Sequence, residues 1–93
     1  METKIRWYAQ FDTIQDQNSP TIKYFSSLKL AKLFLLDGFK DGSILSGNII
    51  EEEIKPCEGE TRNFFPQYYD VVRDRSYTPL NSGKWLIEDW KEN

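Results

Sequence analysis

Residues 4–12 alternate in character. Ile5, Trp7, Ala9 and Phe11 are apolar, and Arg6, Tyr8, Gln10 and Asp12 fall between or beside them. A period of two over this length predicts a strand with one buried face. Residues 13–20 are polar, end in Ser19-Pro20 and read as a loop. The apolar pattern then resumes over residues 21–25, so the two strands are expected to form an antiparallel hairpin.

Ser26 and Ser27 can cap a helix over residues 28–36, and Asp37-Gly38 reads as its stop. On a helical wheel Leu28, Leu30, Ala31, Leu33, Phe34, Leu35 and Phe39 fill an arc of about 240°. A surface helix needs a stripe only a little wider than about 100°. The pattern therefore predicts a helix that buries more than one side.

Asp41-Gly42 and Ser46-Gly47 are turn signals, and residues 48–55 read as a third strand. Ile50, Glu52 and Ile54 share one of its faces, and Ile49, Glu51, Glu53 and Lys55 share the other. Pro56 ends it and a charged loop follows. Residues 68–73 have strand propensity, with a short helix opened by Pro66 as the alternative. Residues 77–83 read as a loop. Residues 84–90 read as a last strand, although Leu86 and Trp90, four apart, also suit a short helix. The expected order is β-β-α-β-β-β. Its fold class is α+β, a three- to five-stranded mainly antiparallel sheet packed by one apolar helix, in a single domain over residues 1–93.

Composition narrows the chemistry. At 93 residues, a large enzyme with a separate cofactor domain is excluded. There is no histidine, which removes Ser-His-Asp and Cys-His catalysis and imidazole metal sites. The one cysteine, Cys57, lies beside Glu58 and Glu60, whose charge disfavours the thiolate. One Cys without His cannot build the usual zinc site. The Ser-x-x-Lys spacing at Ser26 and Lys29 is explained by helix capping. The faintly calcium-like run from Asp37 to Gly42 lacks the alternating oxygen ligands of such a loop. No cofactor and no metal is implied.

Two patterns keep a chemical alternative open. Asp41 followed by Glu53-Ile54-Lys55 resembles the Asp, then Glu-x-Lys, of restriction-type nucleases, where two carboxylates hold a divalent metal and the lysine helps position water. Arg6, Tyr8 and Gln10 share the polar face of the first strand and could form a platform for single-stranded nucleic acid. The net charge of −3 argues against direct nucleic-acid binding. That charge is uneven: residues 1–47 are net +1 and residues 48–93 net −4, with the acid concentrated in residues 51–60.

Fourteen residues are aromatic, a generous number for a small core. Phe64, Phe65, Tyr68, Tyr69, Tyr77, Trp85 and Trp90 crowd the last third of the chain. Trp and Tyr are frequent interface anchors. The expected function is accordingly a non-catalytic protein-binding domain, an inhibitor, adaptor or subunit. Its expected contact residues are Glu51, Glu53, Phe64, Phe65, Tyr68, Tyr77, Trp85 and Trp90, with the acids steering a partner that has a basic surface. A second copy of the chain is the other candidate partner. Size, mild acidity and the lack of catalytic motifs are similar, as a likeness of class, to those of small phage-encoded inhibitors of host defence such as anti-CRISPR proteins. No apolar run of about 18 residues and no signal core is present, so no membrane partner and a cytoplasmic location are expected.

Overall fold

A computed structural model describes residues 3–15, 18–56 and 69–92. The elements are β1 (Lys4–Thr13), β2 (Thr21–Phe25), α1 (Leu28–Asp41), β3 (Ile44–Pro56), β4 (Tyr69–Pro79), β5 (Trp85–Ile87) and β6 (Lys91–Glu92). All pairings are antiparallel, and the sheet order is β2-β1-β3-β4-β5, with β6 pairing β4 beside β5. This is the α+β class, one helix on a mainly antiparallel sheet, in the order the sequence predicts up to β5, with the two-residue β6 added as a sixth strand.

The first hairpin follows its alternation. Tyr8 pairs with Tyr24 and Ala9 with Lys23 across β1 and β2. On the other side of β1, Ala9 pairs with Ile49 and Trp7 with Glu51 of β3. Opposed residues share a face, so Trp7, Ala9 and Phe11 join Ile49 and Glu51 on the side that α1 covers. Arg6, Tyr8 and Gln10 join Glu52, Ile50 and Asn48 on the side it leaves open. The core consists of Ala9, Phe11, Ala31, Leu35, Ile44, Ile49 and Tyr77, with Trp7, Phe25, Leu28, Phe34, Phe39 and Trp85 packed around it.

The helix differs from expectation in two respects. Ser27 is the cap, its Oγ accepting a hydrogen bond from the Leu30 N–H at 3.2 Å, but α1 does not stop at Gly38. It continues to Asp41, and Gly42 supplies the left-handed residue at φ 82°. Gly38 serves close packing instead: a Cβ there would lie 2.2 Å from Ile44 Cδ1. Nor does α1 bury more than one side. Ala31, Leu35 and Gly38 are buried against the sheet, while Leu30, Leu33 and Leu36 stay 48%, 46% and 44% exposed.

The third difference is in β4, which continues through Tyr77 to Pro79 where a loop is expected. The β3 register ends at Tyr77, so the missing N–H of Pro79 breaks no bond to that neighbour. The turn into β5 is smaller than expected: the Leu80 N–H donates to Lys84 O, the Gly83 N–H donates to Leu80 O, and Gly83 takes φ 86°. Residues 85–87 are strand, as read from the sequence.

Candidate functional site

Five of the eight expected contact residues, Glu51, Glu53, Tyr77, Trp85 and Trp90, fall on the helix side of the sheet. Phe64, Phe65 and Tyr68 lie outside the described residues, as does Cys57. Four of them, Glu51, Glu53, Tyr77 and Trp90, belong to a ladder built around Glu51. One Glu51 carboxylate oxygen accepts from Trp7 Nε1 at 2.6 Å; the other accepts from Arg75 Nε at 2.6 Å and Tyr77 Oη at 3.1 Å. Both the Arg75 and Arg73 guanidinium groups lie 4.4 Å from the Trp90 ring centroid. Arg73 Nε in turn donates to Glu53 at 2.7 Å, and Thr3 Oγ1 donates to the other Glu53 oxygen at 2.8 Å. At the opposite end, Lys32 of α1 approaches the rings of Tyr77 and Trp85 at 5.4 and 5.3 Å.

This ladder is internal construction. Glu51 and Tyr77 are only 7% and 4% exposed, which corrects their expected place on a contact surface. Burial works to raise the Glu51 pKa, but the Trp7, Arg75 and Tyr77 donors outweigh it and the carboxyl is held below its ordinary value. Burial and the neighbouring Glu51 charge push the Tyr77 phenol up, so it remains a donor. Glu52 is likewise buried and meets Arg6 Nε at 2.7 Å. The three glutamates of β3 are thus each matched to an arginine on a neighbouring strand and are not free to steer a partner.

The nuclease alternative needs Asp41 and Glu53 side by side. They stand near opposite ends of β3, whose ten-residue separation in extended chain spans about 30 Å. Each carboxylate is also occupied. Asp41 is held below its ordinary pKa first by a hydrogen bond from the Ser43 side chain and then by one from the Ser43 N–H at 2.8 Å, and Glu53 is held by Thr3 and Arg73. Among the described residues no group of three or more acidic, Cys or His side chains is placed to hold a metal ion.

The uncovered face of the sheet presents a different picture. Tyr8 and Tyr24 pack at 5.3 Å between centroids with their planes tilted by 53°, and Arg6 lies 5.1 Å from the Tyr24 ring centroid. Arg6 is anchored from below by Glu52. Burial, with the Glu52 charge second, raises the Tyr8 pKa and keeps its phenol protonated. Tyr24 is 55% exposed and Ile22, next along the same face of β2, 53%. Sequence reasoning picked out Arg6 and Tyr8 but missed Tyr24. The signal was there in the hairpin, since any register that faces Tyr8 with β2 brings an alternate residue of β2 beside it. The acids on this face, Asp12, Glu52, Asp74 and Glu88, outnumber the bases Lys4, Arg6 and Lys91 by one, which gives a phosphate backbone no basic patch to sit on. Farther along, Gln10, Asp12, Ser46, Asn48 and Thr78 line an open groove of about 280 Å³ without a pair of titratable groups.

No protein-family model matches the chain, and no curated protein or solved structure matches it either. Among the described residues, no helix is long and apolar enough to cross a membrane.

Proposed function

We infer that the protein is a non-catalytic protein-binding module that offers the uncovered face of its sheet to a partner with a basic rim. The observation that carries this reading is Tyr24. More than half exposed, it contributes nothing to the core, yet it is held in position by Tyr8 and by an arginine that is itself fixed by Glu52. Preorganised Tyr and Arg side chains are the residue types that dominate binding energy at interfaces. Ile22 extends the apolar centre, and Asp12 and Asp74, which share its face and form no salt bridge among the described residues, favour a basic surface on the other side. An inhibitor or an adaptor acts in this way, by occupying a surface; inhibition of a host defence is the sharper form of the same reading.

The test is capture of partners from the native cells with the wild-type chain, Tyr24→Ala and Arg6→Ala. A protein retained in stoichiometric amount by the wild type should bind Tyr24→Ala at least tenfold more weakly, with the melting temperature nearly unchanged because the side chain is exposed. Undiminished retention by Tyr24→Ala overturns the reading. So does salt-sensitive retention of nucleic acid in place of protein, which would return the first-strand platform to favour.

A further inference from the structure

The groove at the far end of the uncovered face is lined by polar groups that bond to nothing else in the described chain. Gln10 of β1 and Asn48 of β3 stand directly opposite each other, and Thr78 of β4 lines the same groove. All three are half-buried. Among the described residues none of their side chains has a hydrogen-bond partner. The groove wall differs: there Ser46 Oγ donates to Asp12 at 3.0 Å.

The row to which these side chains belong is apolar at both ends. Gln10 also faces Ile22 of β2, and Thr78 faces Leu86 of β5; Ile22 and Leu86 are each 53% exposed. From β2 to β5 there are four strand spacings of about 4.8 Å, a span of about 19 Å. An extended chain rises about 3.3 Å per residue, so six steps cover that span. Side chains six apart in such a chain point the same way.

The geometry points to an extended peptide segment of the partner, uncharged over seven residues, as the ligand of this groove, laid across the strands from Ile22 to Leu86. This rests on the protein-binding reading and names the part of the partner that the face recognises. Apolar side chains at the first and seventh positions of the segment cover Ile22 and Leu86. Small side chains at its third and fifth positions let its main chain down onto Gln10 and Asn48. A side-chain amide carries both a donor and an acceptor, as a peptide unit does, so each can bond both groups of one main-chain unit. The middle of the groove holds no charge to attract a charged ligand. Its charges stand at the margins, Asp12 on β1 and Lys84 in the turn before β5. Neither forms a salt bridge among the described residues, so a base flanking the first position and an acid flanking the seventh add charge complementarity at the two ends. Glu88, on the other side of Leu86, is already occupied by Ser76 and Lys91. A saccharide fits less well, because the one ring that lines the groove, Phe11, is buried and offers no face to stack on.

An NMR titration of the full chain with capped seven-residue peptides tests this. One peptide carries leucine at its first and last positions, alanine at the third and fifth, and threonine elsewhere; the control has aspartate in place of both leucines. The leucine peptide should shift the side-chain amide resonances of Gln10 and Asn48, with a dissociation constant on the order of 1 mM or below. The aspartate peptide should bind at least tenfold more weakly. Gln10→Thr combined with Asn48→Thr removes both amides and keeps strand propensity, so the melting temperature should hold while peptide binding falls at least tenfold. No shift at Gln10 and Asn48 with about 10 mM leucine peptide overturns the proposal, as does equal binding of the two peptides or an undiminished affinity in the double variant. Partner capture separates the two readings. A partner lost by Tyr24→Ala but retained by the double variant leaves the protein-binding face standing and refutes the groove. Peptide binding in the groove together with a captured partner indifferent to Tyr24→Ala does the reverse.

Discussion

The Glu51 carboxylate accepts three hydrogen bonds, from Trp7, Arg75 and Tyr77, and is nearly out of solvent. Removing it would leave three donors facing a gap, one of them a cation. With Arg75 still partly exposed, Glu51→Ala is expected to cost about 2 kcal/mol, below the full penalty for breaking a buried pair. Glu51→Gln, which retains an acceptor, should cost less. Glu51 and Glu53 also set a pH dependence. Both are held below the ordinary carboxylate value of 4.5, so the folded state binds those protons less readily than the unfolded chain. Their contribution is fully present above 4.5 and is lost as the pH falls through the lowered values. Thermal melts from pH 6 to about pH 3 should show stability falling, with a shallower fall in Glu51→Gln; parallel profiles for the two chains would contradict this assignment. None of this was legible locally. The alternation of Ile and Glu in β3 marks a strand, but the partners of Glu51 come from positions 44 and 24 residues away. Which glutamates are buried is a property of register.

At the scale of elements, what was legible is what has a short period. β1 and its hairpin follow from alternation, and α1 from its leucines and serine cap. The end of α1 was not legible, because two glycines each preceded by an aspartate offered equally good stops. The choice was made by tertiary packing: Ile44 leaves no room for a side chain at position 38, whereas position 42 needs a positive φ. Gly38→Ala should therefore destabilise by about 1–2 kcal/mol, overpacking outweighing the gain of about 1 kcal/mol in helix propensity. Adding Ile44→Val, which removes the nearest atom, should recover part of the loss in a double-mutant cycle. A rise in melting temperature for Gly38→Ala alone would show that Ile44 yields freely. The C-terminal segment is a second case. β6 contributes only two residues to the sheet, and Trp90 lies against Arg73 and Arg75 just before it. Two cation–π contacts at a partly exposed site contribute about 0.5–1 kcal/mol each. In Trp90→Ala the amides of Lys91 and Glu92 should lose hydrogen-exchange protection while those at the centre of β1 and β3 keep theirs. Equal loss across the sheet would mean that Trp90 supports the whole fold.

For the whole molecule, the sequence conveyed the class and the order of elements because both follow from summing local patterns. It did not convey coverage. An apolar arc of about 240° on α1 suggested burial on several sides, yet the described residues set one sheet against it and it buries one side. The excess stays on the surface as Leu30, Leu33 and Leu36. The position of the candidate site was hidden for a related reason. The aromatics of the last third looked like anchors, but Tyr77 and Trp85 close the core under Lys32, while Tyr24, from a short edge strand, is the one left standing in solvent among the described aromatics.

The sheet carries its helix on one side and Tyr24 on the other. A tether attached to the outer face of α1 would therefore project away from Tyr24, which makes that face the place to immobilise the chain when binding is measured.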